Sequence, residues 1–174
     1  MNRIKLIFPE MAFQQQLEDF RAAFIKSNDT MNGSNGLRNA ETIEEWIETL
    51  VQLKEGAHDT LVPSDTFLAV RKQDNQLIGM IDVRHYLNDY LKKYGGHIGY
   101  CIFPEERKKG YGKEMLALIL DYCRTKSYEE LLIICEESNL GSIAVIKANG
   151  GKLKEKYTDP DDGSENLRFF ISLK

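Results

Sequence analysis

Apolar residues at positions 13, 17, 20 and 24 recur at helical spacing, which predicts a helix with Phe13, Leu17, Phe20 and Phe24 on one face. Residues 4–8 before it read as a short strand closed by Pro9. Ile43, Trp46, Ile47 and Leu50 mark a second helix, with Thr42 as its cap and Glu45 completing a capping box. Between the two helices, residues 28–36 (NDTMNGSNG) form a loop by composition. Residues 66–71 and 76–86 predict two strands joined by a turn, and 97–103 a third that stops at Pro104. The polar tract 88–96, ending in Gly95-Gly96, is a connection. Met115, Leu116, Ile119, Leu120 and Cys123 give a long helix its apolar face. The continuous apolar run 131–135 reads as a strand buried on both faces. A short helix over 142–149 is stopped by Gly150-Gly151, and strands near 152–157 and 167–173 close the chain.

The predicted order is strand, two helices, three strands, helix, strand, helix, two strands. This is an α/β domain centred on a strand–helix–strand crossover. Nothing repeats and no linker divides the chain, so residues 1–174 are expected to form one domain. A chain of 174 residues buries roughly 70% of its unfolded surface and needs no disulfide or metal to fold. Its 42% hydrophobic and 29% charged residues exclude wholesale disorder. A net charge of -4 counts against a dedicated nucleic-acid binder. Cys101, Cys123 and Cys135 are too far apart for a zinc knuckle and read as small buried hydrophobes in a reducing compartment. With no signal-peptide core and no apolar run near the roughly 20 residues of a membrane span, the expectation is a soluble cytoplasmic protein.

The most informative stretch is Arg107-Lys108-Lys109-Gly110-Tyr111-Gly112-Lys113, where a basic, glycine-rich turn leads from a strand into a helix. Backbone N–H groups in the first helical turn lack intrahelical partners, and the helix dipole adds partial positive charge. Gly110 and Gly112 let the backbone approach a bulky phosphate, and Arg107, Lys108, Lys109 and Lys113 add charge around it. A solvated basic turn is the alternative reading. The third glycine of a dinucleotide fingerprint is replaced by Met115, and the P-loop pattern is absent.

Residues 107–112 resemble the R/Q-x-x-G-x-G/A pyrophosphate loop of the GNAT superfamily of acyl-CoA-dependent N-acyltransferases, with Pro104 also fitting. Residues 139–151, from Asn139 and Ser142 to Gly150, resemble the family's second signature, N-x-x-S-x-x-V/L-x-x-x-x-G. Residues 82–112 are most similar to bacterial members of the predicted-acetyltransferase type. The resemblance implies a mixed, mostly antiparallel sheet, flanked by helices, in which the strand of Tyr100, Cys101 and Ile102 splays from the strand 131–135. The pantetheine arm of acetyl-CoA, the co-substrate, would lie in that gap along Tyr100 to Ile102. The pyrophosphate would sit on Arg107 to Lys113, Asn139 would bind the arm, and Ser142 would add a contact. No metal is implied. The position where the family often carries a tyrosine that protonates the departing thiolate holds Ile146, so the usual acid is missing.

Amine attack on a thioester needs a proton acceptor. His97, which opens the thioester strand, and Glu136, at the end of the other central strand, are the candidates, with Glu137 beside the latter. Their bland alternatives are a histidine without a chemical role and a solvated strand end. Asp82 and Arg84 share a strand face and could bind a polar acceptor or form a surface ion pair. Cys101 has no evident base partner and is not needed as a nucleophile. The expected function is acetyl transfer from acetyl-CoA to a primary amine, small molecule or peptide, by direct attack, with neither nucleic acid nor membrane as partner and a homodimer left open. A non-catalytic acyl-CoA sensor is the alternative, and a regulatory domain without cofactor comes third.

Overall fold

The structure, a computed structural model, describes residues 2–174. Strand β1 (Ile4–Ile7) leads through a 3-10 turn into helix α1 (Gln14–Lys26), and helix α2 (Ile43–Glu55) follows the 28–36 loop. Thr42 caps α2 as predicted, its Oγ1 accepting the Glu45 amide at 3.1 Å. Strands β2 (Ser64–Arg71) and β3 (Leu77–Arg84) form a hairpin, and β4 (Ile98–Ile102) completes an antiparallel sheet in the order β1-β2-β3-β4. Helix α3 (Tyr111–Thr125) crosses to β5 (Glu130–Glu136), followed by α4 (Leu140–Ala148), β6 (Lys152–Thr158) and β7 (Glu165–Ser172). The last three strands pair antiparallel in the order β5-β7-β6.

Two apolar layers hold the first sheet. Alternate side chains of β2 point to opposite faces, so Leu68 and Val70 meet α1 and α2, while Phe67 and Ala69 meet α3. Phe20, Phe24 and Trp46 are fully buried in the α1–α2 layer. A side chain of this size contributes about 1.5–3 kcal/mol on burial. The α3 layer is shared: Met115, Ile119 and Cys123 pack on β3 and also on Leu131, Ile133 and Phe169 of the second sheet. One helix thus unites two sheets whose facing edge strands do not form a continuous ladder.

Those edge strands, β4 and β5, meet at one joint. Gly96 bridges Ile133, the His97 amide donates to the Leu132 carbonyl at 2.7 Å, and the Leu132 amide donates to His97 Nδ1 at 2.9 Å. Gly96 has φ 66°, and a Cβ there would lie 2.6 Å from the Leu132 carbonyl oxygen, so the approach requires glycine. The connection before the joint contains a π-helical turn over Leu91–Gly95. Among the described residues no helix is long and apolar enough to cross a membrane.

Candidate active site

Past the joint, β4 and β5 diverge and open a cleft of about 1040 Å³. Its walls are Ile98–Ile102 of β4 and residues 133–136 of β5, with the start of α3 at one end and the start of α4 alongside. Of the residues singled out in the sequence, Tyr100, Cys101, Ile102, Arg107, Lys108, Gly110, Tyr111, Gly112, Lys113, Glu136, Asn139 and Ser142 all border this cleft. Lys109 and His97 do not line it.

The turn into α3 has the geometry of an anion cradle. Lys108 and Gly110 have positive φ, 61° and 87°, and the chain bends there into the start of α3, whose first amides have no intrahelical partner. The four cations predicted around it divide into two pairs. Arg107 Nε donates to the Ile102 carbonyl at 3.1 Å, and its guanidinium pairs with Asp29 at 2.7 Å. Burial pushes the Asp29 carboxyl up, but the Arg107 bond, the Thr30 amide and the charges of Arg107 and Arg38 together hold the group below its ordinary value. Lys109 pairs with Glu106 at 3.0 Å. Lys108 and Lys113 make no ion pair among the described residues, so they carry the charge left for a ligand. All four cations stand around the turn, as the sequence placed them, but two of them already have carboxylate partners.

Arg3 clasps the cradle from behind. Its guanidinium donates to the Lys109 carbonyl and to Glu114, each at 3.1 Å, and lies 4.3 Å from the Tyr111 ring centroid. The Ile4 amide donates to the other Glu114 oxygen at 2.9 Å. Tyr111 is buried beneath this clasp, with Arg71 Nη1 3.4 Å from its hydroxyl. Sequence reasoning missed Arg3, Asp29, Arg71 and Glu114, because each acts through a partner 40 or more residues away. The missing side chain of Gly112 would point toward Val145 and Ile102, so this glycine also serves the close approach of α3 to α4.

The loop between α1 and α2 roofs β4. The buried Trp46 indole donates to the Ser34 carbonyl at 2.7 Å, and a Cβ on Gly33 would fall 2.4 Å from the Gly99 carbonyl oxygen. Asp82, expected at a surface or an acceptor site, is fully buried, and burial raises its carboxyl above the ordinary value against the pull of Arg84. Its Oδ1 accepts the Gly99 amide at 3.1 Å, and its Oδ2 lies 3.3 Å from Arg84 Nε. Arg84 then reaches the Gly95 and Gly96 carbonyls and borders the cleft.

The two candidate bases differ. His97 is held neutral: burial, with Arg84 nearby, lowers its pKa to about 4, and its Nδ1 lone pair is occupied by the Leu132 amide. A ring so engaged closes the sheet joint and has no free basic nitrogen at that position, so the structure speaks against His97 as the proton acceptor. Glu136 is exposed at the open end of the cleft, with Ser138 Oγ donating to it at 3.1 Å. Cys101 is buried and its thiol is pushed up to about 12, which removes it as a nucleophile. On α4, Asn139 caps the helix, its Oδ1 accepting the Ser142 amide at 3.0 Å, which leaves its Nδ2 for a ligand. Ile146 is fully buried in the shared core.

The family model described as Acetyltransferase (GNAT) domain matches residues 11–152, most of the chain. The chain belongs to the GNAT acetyltransferase family. It is by that membership an N-acetyltransferase, and its fold is the GNAT fold. RimJ from Mycobacterium smegmatis, in complex with CoA-disulfide, superposes with a TM-score of 0.74 at 15% identity, over 97% of this chain and 81% of that one. A Salmonella typhimurium acetyl transferase that modifies the N-terminal serine of ribosomal protein L7/L12 gives 0.72 at 15%, over 100% and 97%. RimL, a ribosomal L7/L12 alpha-N-protein acetyltransferase in complex with coenzyme A, gives 0.73 at 14%, over 99% and 95%. No curated protein matches the sequence.

Proposed function

We propose that this GNAT protein transfers the acetyl group of acetyl-CoA to a primary amine by direct attack. The observation that carries the reading is the cleft itself. Two strand edges, β4 and β5, bound a slot whose end is the open amide turn of α3, flanked by Lys108 and Lys113. Unpaired strand edges offer amides and carbonyls to the amide-rich pantetheine arm, and the turn suits its phosphates. Acetyl-CoA supplies the activated acyl group, and the chain's residues orient it. Lys108, Lys113 and the amides of the α3 turn would hold the phosphates, with Asn139 Nδ2 on the arm.

Glu136 would take the proton that the amine loses, directly or through water. The amine would enter among Thr30, Asn32, Arg84 and Glu136, which all border the cleft, Thr30 and Asn32 belonging to the Trp46-anchored loop. That mouth accepts a small amine or an extended peptide N-terminus, the acceptor type that RimL and the Salmonella enzyme use. In this reading residues 1–174 act as one domain in the cytoplasm.

Thiol release from acetyl-CoA across polyamines, aminoglycosides, amino acids and peptide N-termini tests the proposal. Steady release with one amine class is expected. CoA binding without release from any amine would favour a sensor, and no CoA binding would overturn the reading of the cleft.

A further inference from the structure

Tyr100 lies midway along β4, and its ring reaches across the cleft to α4. Its hydroxyl is 2.6 Å from Ser142 Oγ. Ser142 is itself fixed, because its amide donates to Asn139 Oδ1 at 3.0 Å. The opposite wall contributes Cys135 of β5, so the middle of the cleft holds a small polar cluster inside an otherwise apolar segment. Burial pushes the Tyr100 phenol up to about 12, although the Ser142 bond pulls the other way. It therefore keeps its proton at any working pH. The other phenols bordering the cleft are turned elsewhere. The Tyr111 hydroxyl lies against Arg71, and Tyr94 sits with Tyr90 on the connection before the joint. Ile146, one turn further along α4, presents no polar atom.

We propose that the Tyr100 hydroxyl donates a hydrogen bond to the thiolate that leaves acetyl-CoA, and that Ser142 positions it. The inference rests on the acetyl-CoA reading of the cleft. The amine nitrogen forms the new C–N bond, the C–S bond breaks, and its electron pair goes to sulfur. Negative charge then develops between the two strands, where a fixed donor is most effective. When Ser142 turns its own hydroxyl hydrogen onto the Tyr100 oxygen, the phenolic O–H is left with the Ser142 carbonyl at 3.5 Å, a weak acceptor that a thiolate in the cleft displaces. A phenol held near 12 is a weaker acid than an ordinary thiol, near 8.5. The proton therefore stays on Tyr100, the thiolate departs as the hydrogen-bonded anion, and solvent protonates it after release. The proton lost by the amine goes to Glu136 or water.

The decisive experiment needs no turnover. Free CoA is titrated at saturation against the wild type, Tyr100→Phe and Ser142→Ala, following thiolate ultraviolet absorbance. The bound thiol should ionise at lower pH than free CoA in the wild type. In Tyr100→Phe the thiolate-to-thiol ratio at a fixed pH below the transition should fall about tenfold, the size of one hydrogen bond to a charged group. Ser142→Ala should lie between them. The alkaline preference of the wild type for CoA over desulfo-CoA should shrink in step, and kcat should fall while affinity for CoA near neutrality holds. A folded Tyr100→Phe that binds CoA and titrates it like the wild type overturns this inference alone. A wild type that does not bind CoA overturns the reading beneath it as well. Ser142→Ala retains the Tyr100 side chain, so an unchanged titration there removes Ser142 from the positioning role even if Tyr100→Phe misfolds, and the desulfo-CoA comparison on the wild type then decides for Tyr100.

Discussion

Gly112 of α3 and Val145 of α4 stand so close that a Cβ on Gly112 would lie 3.0 Å from Val145 Cγ2. The glycine in the cradle therefore governs helix packing as well as access to the turn. Gly112→Val should destabilise the fold by about 1–3 kcal/mol, the usual range for overpacking. It should also weaken CoA binding, because α4 must move outward with Asn139 and Ser142. Gly112→Ala combined with Val145→Ala should recover most of the stability that Gly112→Ala loses. Denaturant melts give the first quantity and calorimetry the second. Unchanged stability in Gly112→Val would show that α4 yields freely.

The joint between the sheets should make stability depend on pH. His97 is held neutral in the folded chain, with a pKa of about 4 against an ordinary 6.5. Between those values the unfolded chain binds a proton that the folded chain refuses, so stability is full above about 6.5 and falls as pH drops toward 4. His97→Asn keeps a side-chain acceptor near the Leu132 amide but does not titrate, and it should flatten this segment of the curve. His97→Phe leaves the amide without its acceptor and should cost about 1–3 kcal/mol at neutral pH. Urea melts across pH check both.

The cations around the cradle should not contribute equally to the salt dependence of CoA affinity. Lys108→Ala with Lys113→Ala should flatten the dependence, since both side chains are left for phosphate. Lys109→Ala should change it little, because Glu106 already holds that ammonium. Equal slopes for the two variants would contradict the division.

Glu136→Gln tests the proton acceptor. The variant should keep CoA affinity and lose roughly 10²–10⁴ in turnover if the carboxylate accepts the proton, and much less if bulk water does. A rate that recovers as pH rises toward the amine's own pKa would mark the loss as one of deprotonation.

Local pattern made the elements legible. Strands 131–135 and 66–71 lie within observed β5 and β2, and the Thr42 cap was readable because its partner, Glu45, is three residues away. The cradle and the start of α4 were readable for the same reason, as each is one contiguous motif. Long-range geometry was not readable. Nothing near Arg107 signals that Asp29 would take its charge, and nothing near His97 signals that its ring would accept the Leu132 amide. His97 looked basic because the sequence gives its type and position but not its burial. Tyr100 was read for its backbone alone, since only the fold brings Ser142, 42 residues on, to its hydroxyl.

Strands β4 and β5 border the cleft as edge strands with no continuous ladder between them, and that has a consequence for how such a protein can diverge. An amide at a strand edge is supplied by almost any residue, so replacing the side chains of β4 and β5 leaves those edge amides in place. Mutational drift can then lower identity without removing these amides, and the fold itself is shared with RimJ and RimL at only 14–15% identity. What drift cannot touch freely are the few positions where a side chain would itself run into backbone, such as Gly33 and Gly96. A lineage can change its acceptor by rebuilding the roof loop and leave the rail beneath untouched.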